Sequence, residues 1–79
     1  MKQSKMIQSS YTLHEAMQLV LSEKSDKQMH ASDLADEVYQ KGLYYKRNGK
    51  KAETMQIRAR SQRYSRLFEV LNGNIIRLR

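Results

Sequence analysis

Apolar residues recur at helical spacing early in the chain. Leu13, Ala16, Met17, Val20 and Leu21 stand at i, i+3, i+4, i+7 and i+8, so they share one stripe of a helix. Thr12-Leu13-His14-Glu15 opens the stripe and fits a capping box. In that motif the Thr12 hydroxyl accepts from the Glu15 N–H, and the Glu15 carboxylate reaches back to the Thr12 N–H. The pattern predicts a helix over residues 13–23 that stops in the polar run Ser22-Glu23-Lys24-Ser25-Asp26-Lys27. Residues 1–10 are polar and aperiodic, and read as a flexible arm ahead of a domain at 11–79.

A second helix is expected to open at Ala31 or Ser32, capped by Ser32 or His30. Asp33, Asp36 and Glu37 lie toward its positive end, and Leu34, Ala35 and Val38 form its core face. Gly42 follows Lys41 where a left-handed residue is wanted to end a helix. Gln28-Met29-His30 suits a short strand between the two helices, and Leu43 to Lys51 reads as a loop. A third helix is predicted from about Lys51 to Ser61, reaching Gln62 at most. Ile57, Ser61 and Tyr64 share one face of it, with Thr54 beside them. Ala52, Met55, Gln56, Ala59, Gln62 and Arg63 share the opposite face, flanked by Arg58 and Arg60.

The chain closes on two β-rich runs, Leu67 to Leu71 and Ile75 to Arg79, separated by Asn72-Gly73-Asn74. Asn-Gly between such runs signals a hairpin turn. A two-residue loop would set Glu69 opposite Ile76. A three-residue loop pairs Leu71 with Ile75, Val70 with Ile76 and Phe68 with Leu78, which puts Phe68, Val70, Ile76 and Leu78 on one apolar face. The second register is the one expected. A two-stranded ribbon is unstable alone, so its apolar face must pack on the helices. The order helix, short strand, helix, helix, hairpin predicts a mainly α fold with a small β-hairpin. That is a winged helix-turn-helix: three helices plus a C-terminal two-stranded wing, with the third helix as recognition helix.

Charge sharpens this picture. Residues 1–40 carry four Lys and six acids, a balance of −2, whereas residues 41–79 carry eleven Lys or Arg and two acids, a balance of +9. A lopsided basic half suits a polyanionic partner, although a basic face kept for solubility gives the same balance. No Cys is present for a disulfide or thiolate metal site. No apolar run approaches the ~20 residues of a membrane span, and no secretory signal is read at the N-terminus. The expectation is a cytoplasmic protein, nucleoid-associated in a bacterium or nuclear in a eukaryote.

The residues also resemble a known family. Thr12-Leu13-His14-Glu15-Ala16 with Leu19-Val20-Leu21, then Met29 to Leu34, then Lys41-Gly42-Leu43 carry the first part of the resemblance. Gln56-Ile57-Arg58-Ala59-Arg60, Tyr64, Leu67-Phe68 and Ile75-Ile76-Arg77-Leu78 carry the rest. Together they resemble the HARE-type helix-turn-helix family, found in chromatin proteins and restriction endonucleases. It is similar to the N-terminal domain of the bacterial RNA polymerase delta subunit. The resemblance implies a winged-helix DNA-binding module, usually part of a larger transcription or DNA-modifying protein. The chain departs from that setting in carrying no nuclease or methylase domain, which fits either a free-standing protein or a fragment. It also has His30 where a stronger capping residue is expected.

Candidate contacts follow from these placements. Gln56, Arg58, Arg60, Gln62 and Arg63 lie on the third helix, where Arg can fork onto guanine and Gln onto adenine. Lys50 and Lys51 at its start and Arg66 after it suit phosphates. Asn72, Asn74, Arg77 and Arg79 are the candidates on the wing, Arg77 foremost because it faces away from the apolar side, though a plain tight turn also explains Asn72-Gly73-Asn74. Tyr44 and Tyr45 read as closing the core from outside, with stacking on bases or sugars as the alternative. His14 and His30 make no metal site by spacing, and no catalytic triad or phosphate loop is present, so no enzyme activity and no cofactor are expected. Double-stranded DNA is the expected partner. The alternative is a protein-docking winged helix, for example on RNA polymerase or a DNA-modifying enzyme, which the apolar Met55 and Ala59 favour.

Overall fold

The computed structural model describes residues 11–79 of the chain. The arm expected at 1–10 lies outside the described residues. The elements are α1 (Leu13–Ser22), β1 (Gln28–His30), α2 (Ala31–Gln40), α3 (Thr54–Arg63), β2 (Phe68–Leu71) and β3 (Ile75–Leu78).

The N-terminus of α1 is held by the capping box as its residues dictate. Thr12 N–H donates to Glu15 Oε1 at 3.0 Å, and Glu15 N–H donates to Thr12 Oγ1 at 3.3 Å. Leu13, Ala16, Met17, Val20 and Leu21 are all fully buried, so the apolar stripe is the core face of α1.

His30 caps α2, its Nδ1 accepting from the Ser32 N–H at 3.1 Å. An imidazole nitrogen therefore does what a hydroxyl or carboxylate oxygen does at most helix starts. At the other end Gly42 takes φ +67°. Its N–H donates to Tyr39 O at 3.0 Å and the Leu43 N–H to Val38 O at 3.1 Å, the two bonds of a Schellman motif. An added Cβ at Gly42 would meet the Tyr45 hydroxyl at 3.2 Å, so both backbone and space favour glycine there.

The third helix departs from expectation at both ends, running from Thr54 to Arg63 rather than from Lys51 to Ser61 or Gln62. Ala52 is drawn into the core, 2% exposed, from an extended segment before the helix instead of standing on its outer face. Glu53 then takes the N-cap position, and its N–H donates to Gln56 Oε1 at 3.0 Å. Ile57 and Ser61 face inward, and the Ser61 hydroxyl is satisfied by Ile57 O at 2.8 Å.

The hairpin adopts the three-residue loop. Leu71 pairs with Ile75, Val70 with Ile76, Glu69 with Arg77 and Phe68 with Leu78. Positive φ falls at Gly73 and Asn74. Phe68 and Ile76 are fully buried, whereas Val70 and Leu78 are half-buried at the margin of the core. The wing is not an isolated ribbon. β1 adds to β3, with Met29 opposite Ile76, so the sheet has three strands in the order β1-β3-β2. The Ala31 N–H donates to Asn74 O at 2.8 Å and joins the start of α2 to the hairpin turn. Three helices closed by a three-stranded antiparallel sheet, with the C-terminal hairpin as wing, make this a winged helix-turn-helix.

Candidate nucleic-acid interface

The outer surface of α3 is set by its buried side. With Ile57 and Ser61 inward, the residues turned to solvent are Met55, Arg58, Ala59, Gln62 and Arg63. Arg60 lies nearer the buried face and is half-covered. Arg66 is exposed in the turn after α3, where Leu67 N–H and Phe68 N–H both donate to Tyr64 O. The Tyr64 ring stacks on His14, centroids 3.9 Å apart and planes 20° from parallel, and so joins the end of α3 to α1.

The cations divide into two sets. The ion pairs among the described residues are all made by lysines: Lys24 with Glu37, Lys41 with Glu23 and Glu37, Lys46 with Glu53, and Lys51 with Asp36. The side chains of Arg58, Arg60, Arg63, Arg66 and Arg77 make no hydrogen bond or ion pair among the described residues. Residues 1–10 contain no Asp or Glu to neutralise them. With Arg47, whose side chain likewise has no partner among the described residues, six ionised guanidinium groups keep their donors free in the half of the chain that carries the positive balance.

Several expected contacts change role. Lys50 and Lys51 precede the N-cap Glu53 and sit in the loop, not in the first turn of α3. Lys50 is exposed, its ammonium without a partner among the described residues, but Lys51 is tied to Asp36 of α2. The Gln56 carboxamide oxygen is engaged in the helix cap, which removes the acceptor that a fork onto adenine requires. Asn74 supports the turn through φ +60° and holds α2 through its carbonyl, while Asn72 is exposed at the tip. Arg77 is exposed on the sheet face turned away from Ile76, between Gln28 and Glu69 on the flanking strands.

Sequence reasoning misses Arg47 as a candidate. It is exposed beside the Asn48-Gly49 turn, in which Gly49 N–H donates to Lys46 O and Lys50 N–H to Asn48 Oδ1. The signal available is the basic run around that turn. Arg79, expected on the wing as a contact, is instead pinned: its Nε donates to Ser65 O and its N–H to Leu67 O. Tyr44 packs against the core, and Tyr45 meets Tyr39 edge to face at 5.4 Å. Asp36 and Glu37 serve as ion-pair partners. Among the described residues no group of three or more His, Cys, Asp or Glu could hold a metal, and no helix is long and apolar enough to cross a membrane.

A winged helix whose third helix bears arginines without partners among the described residues on its solvent side defines the class: a helix-turn-helix domain with a basic outer face on α3. The chain belongs to the HARE-HTH family, the helix-turn-helix domain of ASXL proteins and restriction endonucleases, whose model matches residues 11–79. Membership implies a DNA-binding helix-turn-helix module. No curated protein and no solved structure matches the chain.

Proposed function

We propose that this domain binds duplex DNA by placing α3 in the major groove. In this reading Arg58, Arg63 and Gln62 approach base edges, and Lys50, Arg60 and Arg66 neutralise phosphates. Asn72, Asn74 and Arg77 of the wing mark a second approach to the backbone. The observation that carries it is the division of the cations, with every ion pair among the described residues made by a lysine and the α3 arginines left free. Guanidinium groups left without carboxylate partners are suited to forked contacts with phosphate and guanine.

The role that fits is a targeting or accessory module in transcription or DNA modification, without catalytic activity of its own. It would act where the DNA is, in the bacterial cytoplasm and nucleoid or in a nucleus. The test is titration of duplex DNA, single-stranded DNA and duplex RNA over a range of salt. Four to six phosphate contacts give a slope of log affinity on log salt of roughly −4 to −5 for duplex DNA. A flat response, or no duplex binding at low salt, rejects the proposal.

One observation favours a second reading, in which the domain docks a protein such as RNA polymerase or a DNA-modifying enzyme. Tyr11, Glu15, Gln18, Leu19, Ser22 and Leu78 line a shallow groove beside α1, and Tyr11 and Leu19 are exposed there. This groove contains none of the free arginines. Both surfaces can serve one module that holds DNA and a protein at the same time.

A further inference from the structure

Met55 is the most exposed large apolar residue among the described residues, at 70%, and it lies on the outer face of α3. Ala59 is exposed one helical turn further on, and Gln62 follows. At 100° per residue, Met55, Ala59 and Gln62 fall within about 60° of one another around the axis. They form a strip on the outer side of the helix, bordered by Arg58 on one edge and Arg63 on the other. Here Arg58 and Arg63 border the strip, and its two apolar members are a thioether chain and a methyl group.

The thymine 5-methyl group is the apolar feature of the DNA major groove, and small or flexible apolar side chains are its complement. We infer that Met55 and Ala59 read thymine methyl groups, so that the domain prefers sites with thymine beneath this strip of α3. The inference rests on the DNA-binding reading and adds its base preference. The flanking arginines supply the charge complementarity that brings this apolar strip against a duplex. Met55 points away from the core, so its replacement leaves the fold intact. Gln62, whose carboxamide has no partner among the described residues, stands next in line to pair with the adenine of the same or a neighbouring A·T pair.

The test uses the whole chain and a binding site selected from a random duplex pool. Affinity is compared between that site and versions in which each thymine in turn is replaced by deoxyuridine, which removes only the methyl group. At least one replacement is expected to weaken binding about four-fold, the value of one buried methyl. At the thymine position read by Met55, Met55→Ala is expected to bind the thymine and deoxyuridine duplexes alike, at about the affinity of the native chain for that deoxyuridine duplex, while discrimination at a thymine read by Ala59 remains. A selected site without thymine, or equal binding of all substituted duplexes by the native chain, overturns the inference while DNA binding stands. Failure to bind any duplex at low salt overturns the DNA-binding reading and this inference with it.

Discussion

Lys51 and Asp36 form an ion pair that ties the loop ahead of α3 to the middle of α2. The two side chains are 49% and 45% exposed, so the pair adds little to stability, about 0–1 kcal/mol. Its effect on binding is larger in principle, because it holds a carboxylate beside a cation at the approach to α3. Asp36→Asn frees that ammonium and removes a negative charge. We expect tighter duplex binding and a salt slope steeper by about one unit if Lys51 then reaches a phosphate. An unchanged slope would place Lys51 away from the DNA backbone.

Phe68 is the largest side chain of the buried core and belongs to the strand that leads into the hairpin turn. Its truncation leaves a cavity between the sheet and the helices. Phe68→Ala is expected to cost about 3–5 kcal/mol, a large share of the stability of a domain this small. Denaturant melts of the two proteins measure it. Loss of less than about 1 kcal/mol would mean that the hairpin contributes little to the core.

The capping box gives α1 a pH dependence of known sign. The Thr12 backbone N–H, and next its hydroxyl, hold the Glu15 carboxyl below its ordinary value. A carboxyl whose pKa is lowered by folding stabilises the fold above its unfolded-state pKa. That contribution is lost as pH falls through the lowered folded-state pKa. NMR titration of Glu15 should give a midpoint below that of the same residue in the unfolded chain. Glu15→Gln keeps an oxygen acceptor for the cap and should remove this part of the acid sensitivity.

The features readable from the sequence are those that local chemistry decides. The Thr12 to Glu15 box, the left-handed Gly42 and the Phe68 to Leu78 register each rest on a few neighbouring residues or on one alternating pattern. The start of α3 is not readable in this way. Lys51 to Arg63 is an unbroken run of helix-compatible residues, and only packing draws Ala52 inward and leaves Glu53 as the cap. The pairing of β1 with β3 is also hidden, because three residues show too little alternation to name a partner. The candidate site is legible as a set of basic residues on one helix. Which of the basic residues beside that helix remain free is not legible, because ion pairs such as Lys51 with Asp36 join partners distant in the chain.

Gln56 and Gln62 separate helix capping from base reading on the same helix. The Glu53 N–H donates to Gln56 Oε1 at 3.0 Å, so that oxygen belongs to the cap. Gln62 is exposed and keeps both its donor and its acceptor free among the described residues. A fork onto adenine needs both at once: the carboxamide accepts from N6 and donates to N7. Gln62, rather than Gln56, is therefore the residue expected to read a base. Gln56→Ala should destabilise the fold by about 0.5–2 kcal/mol, as loss of a cap does, and weaken binding to selected and scrambled duplexes equally. Gln62→Ala should leave the melt unchanged and cost about 1–3 kcal/mol on the selected site, with much less lost on the scrambled one. Competition binding with thermal melts of both variants checks this. Selective loss for Gln56→Ala, or equal losses on both duplexes for Gln62→Ala, would show that α3 does not read adenine through Gln62. The arginines would then hold the domain on DNA by phosphate contact and groove shape.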